Sequence, residues 1–217
     1  MLLVLFDVHK TLFMTSDPLM GQATTAAIEA VWGVELPGGA IKGVDHAGQT
    51  AMRITRELLR AAGLDDGEID PRLARWCTEA SSRYLELLAD ADTSHWEAAE
   101  GATDVLPRIE HRALLTGNPE PVARARMERI GLGDFFPPDQ GAFGCEAEDR
   151  AELISIARRK AGNWPAEQTV AVGDTEADIR GARRAEIKVI GFGAGLEGAD
   201  AVIDRFDELP GALALLN

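Results

Sequence analysis

The sequence predicts an α/β fold, a Rossmann-like doubly wound parallel sheet core with an inserted all-helical cap domain. Three observations predict it. Two short apolar runs, Leu2 to Phe6 and Thr169 to Val172, each end at an acidic turn, at Asp7 and at Gly173-Asp174. Short apolar runs bounded by turn signals are the pattern of strands buried on both faces. From about residue 100, strand-like and helix-like segments alternate, as in βαβ units. Between the first strand and that alternation, residues 16–92 show helical periodicity and no convincing strand. The expected division is therefore a core of residues 1–15 and 93–217 with a helical cap of residues 16–92.

The elements follow in order. The run from Met1 to Phe6 has no basic flank and is too short to span a membrane, so it is read as a first strand. Thr24 to Trp32 has helical spacing. Thr50 to Ala62 is a second helical stretch, closed by Gly63 as a C-terminal cap. Asp70-Pro71 has the form of an N-cap followed by a first-turn proline. The apolar stripe Leu73, Trp76, Cys77, Ala80, Tyr84, Leu87 and Leu88 follows it. Beyond it come a helix led by Gly101, a strand over Arg112 to Leu115, and a helix opened by Asn118-Pro119 and ending near Gly131. A short strand over Gly141 to Gly144 and a helix over Asp149 to Ala161 lead to the Thr169 strand. Ala177 to Arg184 is the next helix. Lys188 to Phe192 and Ala201 to Ile203 are the last strands.

Composition narrows the class. Of 217 residues, 46% are hydrophobic and 27% charged, which is ordinary for a globular protein. A formal net charge of −14 argues against nucleic acid or an anionic membrane as partner. Two cysteines with no CxxC spacing are expected as buried or inert thiols in a reducing, cytoplasmic setting. A monomer and a homodimer are equally compatible with the sequence.

The chemistry-bearing residues lie where open α/β sheets bind ligands, just past the carboxyl ends of strands. In order they are Asp7-Val8-His9-Lys10-Thr11, the strand end Leu115-Thr116-Gly117-Asn118, Arg150 at the head of a helix, and Gly173-Asp174-Thr175-Glu176-Ala177-Asp178. Alone, an Asp after a strand also serves as a turn or cap residue, Thr116 as a helix cap, and Arg150 as an exposed helix charge.

These four pieces, in this order and around a helical insertion, resemble the haloacid dehalogenase superfamily. Within it they are most similar to capped phosphatases of the phosphoglycolate phosphatase type. The resemblance covers nearly the whole chain. It implies a Mg²⁺-dependent hydrolase of a small phosphorylated metabolite acting through an aspartyl-phosphate on Asp7. It implies metal ligands at Asp7, the backbone carbonyl of His9, Asp174 and Asp178. Thr116, Gly117, Asn118 and Arg150 would hold the phosphate, with Thr116 and Arg150 also serving catalysis. Arg150 stands about where the family places a lysine. The cap loop Asp45-His46-Ala47-Gly48-Gln49-Thr50 would face the substrate through His46, Gly48 and Gln49, with Gly48 allowing close backbone approach; His46 reads equally as a surface residue. Thr50 has the form of an N-cap.

The sequence departs from the family at position 9, where the usual second aspartate, the acid and base, is His9. An imidazole can do that proton work. Dehalogenases of the superfamily carry a Tyr there and lack the Gly-Asp-Thr turn, which this chain has. Phosphonoacetaldehyde hydrolases carry an Ala there, an Arg in the third motif and a Schiff-base cap lysine, for which Lys42 would be the candidate, although by itself Lys42 reads as an exposed surface lysine. A catalytically weak binding protein of the same fold is the remaining alternative.

Overall fold

The computed structural model describes residues 1–44 and 46–216, with Lys42 described in its backbone alone. The chain runs β1 (Leu3–Phe6), α1 (Leu19–Trp32), α2 (Ala51–Ala61), α3 (Asp66–Ile69), α4 (Leu73–Ala89), α5 (Ala102–Val105), β2 (His111–Thr116) and α6 (Glu120–Arg129). It continues β3 (Ala142–Phe143), α7 (Arg150–Lys160), β4 (Thr169–Gly173), α8 (Glu176–Arg184), β5 (Lys188–Phe192), β6 (Ala201–Ile203) and α9 (Leu209–Leu216). All strand pairs are parallel, in the order β3-β2-β1-β4-β5-β6.

The strands are apolar throughout because both faces are covered. Val4, Phe6, Leu114, Val170, Val172 and Ile190 pack on one side with Ala102 and Val105 of α5, Ala123 and Met127 of α6, and Leu209 of α9. Their neighbours Leu3, Leu5, Ala113, Leu115, Ala171 and Val189 point the other way, onto Leu153, Ile154 and Ala157 of α7 and Ile179 and Ala182 of α8. The two-residue alternation of strand side chains makes this division. Leu3 to Phe6 stand level with His111 to Leu114 and with Thr169 to Val172, so β1, β2 and β4 deliver their carboxyl ends at one height.

The helical segment between β1 and β2 has its own apolar centre, in which Ile28, Leu59, Ile69, Leu73, Trp76 and Ala80 meet. The predicted stripe on α4 is buried except at Leu87, which is 37% exposed because the buried line passes through Leu88. Thr50 caps α2 by accepting from Arg53 N at 3.3 Å. Among the described residues no helix is long and apolar enough to cross a membrane.

Three expectations change. First, α1 begins at Leu19 rather than Thr24, because the Asp17 carboxylate accepts from Leu19 N at 2.8 Å and starts the turn early. Second, Asp70 is not an N-cap. Asp65 is, in a reciprocal capping box with Glu68, while Asp70 sits in a tight turn and pairs with Arg56 at 2.7 Å. Third, the cysteines are not free thiols. Cys77 on α4 and Cys145 after β3 form a disulfide across 68 residues of sequence, with Cα atoms 6.0 Å apart. The fold lays α4 against the loop after β3, a proximity that no local spacing encodes.

Candidate active site

The carboxyl ends of β1, β2 and β4 open into a cavity of about 450 Å³ roofed by the helical segment. Its walls include Asp7, His9, Thr116, Gly117, Asn118, Arg150 and Asp174 from the sheet side. Met20, Ile41, His46, Gly48 and Gln49 face them from the insertion. Every predicted site residue except Asp178 therefore lines one space, and Asp178 supports it from behind.

Asp7 extends β1 by one residue, its N–H donating to Val172 O at 2.9 Å. The chain then turns sharply, with Lys10 left-handed at φ 59° and its N–H donating to Phe13 O at 2.8 Å. That turn exposes His9 and Lys10 to the cavity while Val8 and Thr11 stay buried. Across the sheet Thr175 and Asp178 form a capping box at the start of α8. Asp178 Oδ2 accepts from Thr175 N at 3.0 Å and from Thr175 Oγ1 at 2.6 Å.

Arg150 is 7% exposed, which removes the alternative of an exposed helix charge. Its Nη2 donates to Asp7 Oδ1 at 2.9 Å, to Leu115 O at 3.2 Å and to Asp178 Oδ1. Its Nε and Nη1 are buried without a hydrogen-bond partner among the described residues. Gly181 on α8 leaves room for this arginine, since a Cβ there would meet the Arg150 side chain at 2.5 Å.

The electrostatics follow from crowding. Burial, opposed by Arg150 and reinforced by Asp178 and Asp174, pushes the Asp7 carboxyl up to about 7. Burial and the Asp178 charge push Asp174 up to about 6. Burial works against the Arg150 charge, but Asp178 and Asp7 outweigh it and hold the guanidinium above its ordinary value. His9 keeps a face open to the cavity. Enclosure by the cavity walls, then the Arg126 and Lys10 charges, lower its imidazole below 6.5. Three carboxylates thus share one buried cation. No trio of His, Cys, Asp or Glu among the described residues is drawn together closely enough to hold a metal by itself. Arg150 takes one oxygen each of Asp7 and Asp178, and Thr175 takes the other Asp178 oxygen. The carboxylates of Asp7 and Asp174 at the cavity wall offer oxygen donors, the kind a hard divalent cation takes.

On the roof, Gly48 has φ +64°, and a Cβ there would run into Thr175 and Ala177, so this glycine lets the roof lie close on the start of α8. His46 donates through Nε2 to the Ile41 carbonyl, and Gln49 N donates to His46 O at 3.2 Å. Asp45 and the side chain of Lys42 lie outside the described residues. Beside the Arg56–Glu148 pair and the Cys77–Cys145 bridge, the roof meets the floor through main-chain atoms. Ala51 N donates to Gly117 O at 2.7 Å and Met52 N to Gly144 O at 3.3 Å, using first-turn amides of α2 that have no partner inside the helix. A Cβ on Gly117 would strike the Gln49 carbonyl, and one on Gly144 the Gly117 carbonyl. Gly144→Ala is therefore expected to destabilise by about 1–3 kcal/mol in urea unfolding. Gly38→Ala, in open space, should stay within ~0.5 kcal/mol; equal effects would remove the steric reason for Gly144.

Sequence reasoning missed Asp17, Tyr84 and Arg126. Arg126 Nε donates to Asp17 Oδ2 at 2.9 Å, the Tyr84 hydroxyl donates to the same oxygen at 2.8 Å, and Arg126 Nη1 donates to Asn118 Oδ1 at 3.0 Å. The only local signal was a charged residue, Arg126, at a position of α6 that faces inward.

Comparison with known proteins agrees with this architecture. The family model described as a haloacid dehalogenase-like hydrolase matches residues 1–186. A phosphoglycolate phosphatase from Pseudomonas putida is 25% identical over 204 residues, covering 88% of this chain and 68% of that protein. Among solved structures, CbbY from Rhodobacter sphaeroides in complex with phosphate is similar, with a TM-score of 0.68 at 20% identity. That match covers 99% of this chain and all of the other. The β-phosphoglucomutase of Clostridium difficile gives 0.66 at 16% identity, covering 95% and 92%. These two matches bear on the fold alone. With the family model spanning most of its length, the chain belongs to the haloacid dehalogenase-like hydrolases.

Proposed function

We propose that this hydrolase cleaves small phosphate monoesters, as the similar phosphoglycolate phosphatase does by its name, through a phosphoryl group carried on Asp7. The observation that carries this reading is Arg150, a residue of the cavity wall whose buried Nε and Nη1 have no partner among the described residues. Buried donors without partners are costly, and an anion with several acceptor oxygens satisfies them. A guanidinium beside a carboxylate nucleophile suits phosphoryl transfer, in which charge develops on the equatorial oxygens.

In this mechanism Arg150 and the Thr116 hydroxyl hold the phosphate, with the Gly117 backbone beside them. The Asp7 carboxylate forms a bond to phosphorus as the bond to the ester oxygen breaks. The departing alkoxide takes a proton from His9 in its protonated form. Neutral His9 then accepts a proton from the water that attacks phosphorus, which releases inorganic phosphate and restores both residues. Asp178 is assigned to holding Arg150 and Thr175 in place, since both its oxygens are engaged within the protein. Mg²⁺ would be held by Asp7, Asp174 and the His9 carbonyl, and when bound it supplies positive charge against the carboxylates and the phosphoryl oxygens. Residues 16–92 serve as the cap that keeps water from the site.

The test is phosphate release from a panel of small esters with Mg²⁺ and with chelator. Release that depends on Mg²⁺ is expected; none from any ester would overturn the reading. A second prediction concerns pH. His9 must be protonated to serve the leaving group, and its pKa is lowered. Hence kcat/KM should fall on the alkaline side as His9 loses its proton, while protonation of Asp7, which must be ionised to attack, opposes activity on the acid side. His9→Asn should lose activity by ~10²-fold and lose that alkaline limb. A limb retained in His9→Asn would take His9 out of proton transfer.

A further inference from the structure

We propose that Arg126 is a positioning residue that fixes the polarity of the Thr116 hydroxyl at the phosphate site. This rests on the phosphate-ester reading above. A guanidinium only donates, so the contact from Arg126 Nη1 to Asn118 Oδ1, at 3.0 Å, requires the amide oxygen of Asn118 to face Arg126. The amide nitrogen must then point the other way, and it donates to Thr116 Oγ1 at 3.0 Å. The backbone N–H of Asn118 donates to the same oxygen at 3.3 Å. Both lone pairs of the hydroxyl are then used as acceptors. Its single hydrogen is what remains for the cavity, where Thr116 is a lining residue 1% exposed. A hydroxyl so oriented is a donor, the polarity a phosphate oxygen needs.

Among the described residues no other side chain holds the Asn118 amide oxygen, so without Arg126 the amide is free to turn over. Its carbonyl would then take the Thr116 hydrogen, and the hydroxyl would offer a lone pair to an anion. Arg126 is itself held firmly. It is 3% exposed, and its charge is met by the buried Asp17 through Nε at 2.9 Å and Nη2 at 2.8 Å. Its guanidinium lies over the rings of Phe13 and Tyr84, at 5.5 and 5.6 Å from their centroids. The Tyr84 hydroxyl, donating to Asp17 at 2.8 Å, brings α4 of the helical insertion into the same arrangement.

The test is a double-mutant cycle on kcat/KM, using the most active ester of the panel. Wild type, Arg126→Lys, Thr116→Val and the double variant are compared. Lysine keeps a cation for Asp17 but lacks the fork that reaches Asn118 as well. Each single variant should lose roughly 10- to 100-fold, as expected for a hydrogen bond to a charged group. The double variant should lose no more than Thr116→Val alone, because the orientation has nothing left to act on. A double loss equal to the product of the single losses, or an Arg126→Lys within about twofold of wild type, would overturn the proposal. If Arg126→Lys does not fold, Asn118→Ala, at a half-buried site, is carried through the same cycle with the same two outcomes. A wild type without turnover on any ester overturns the functional reading and this inference together. Turnover with additive losses overturns the inference alone.

Discussion

Asp7→Asn should reduce turnover by at least ~10⁴-fold while leaving the fold intact, because an amide cannot form the acyl phosphate on which the reaction depends. The substitution is nearly isosteric and removes a carboxylate that burial already disfavours in its charged form. Arg150 keeps its bonds to Asp178 and the Leu115 carbonyl. Unfolding by urea should therefore show a midpoint close to that of wild type, and circular dichroism an unchanged spectrum. Measured phosphate release above one per cent of wild type, from a preparation free of deamidation, would remove Asp7 from the role of nucleophile.

The second large effect is on stability. Breaking the Cys77–Cys145 bridge should cost about 4 kcal/mol, the loop-closure value for a sequence separation of 68. For a chain of this length that corresponds to a fall in Tm of roughly 10 °C. The comparison is wild type with and without a thiol reductant, against Cys77→Ser, which should resemble reduced wild type and be indifferent to reductant. A Cys77→Ser protein as stable as oxidised wild type would show that the bridge adds nothing the packing of α4 does not already supply. The bridge also bears on surroundings. The expectation of free thiols took a reducing environment for granted, whereas a protein that keeps this bond is one whose thiols have met an oxidant.

The parts of this molecule that could be read in the sequence are those in which a local pattern has one structural meaning. Lys188 to Phe192 and Ala201 to Ile203 fall on β5 and β6 without adjustment, since each is a short apolar run between turn residues. Asp7, Thr116, Arg150 and Asp174 were legible because strand ends and a helix start bring them to one side of the sheet. Asp17, Tyr84 and Arg126 were not, for their meaning lies in pairings 67 to 109 residues long. Asp70 misled because Asp-Pro is a good helix opener, and the competing box at Asp65 and Glu68 starts the turn five residues sooner. The disulfide and the Gly117–Gly144 contact likewise depend on how the insertion lies on the sheet, which periodicity does not fix.

That contact has a consequence for how such a protein changes over time. The seam joins main chain to main chain, through two helix-start amides and two carbonyls, so exchange of the side chains at 51 and 52 leaves those bonds standing. The side chains that tie the insertion down lie elsewhere, at Cys77 on Cys145, Arg56 on Glu148 and Asp17, held by Tyr84, on Arg126. The roof can then be varied over the cavity, at Met20 and Ile41, while those ties and the glycines at 117 and 144 stay, without any rebuilding of the carboxylate cluster beneath it.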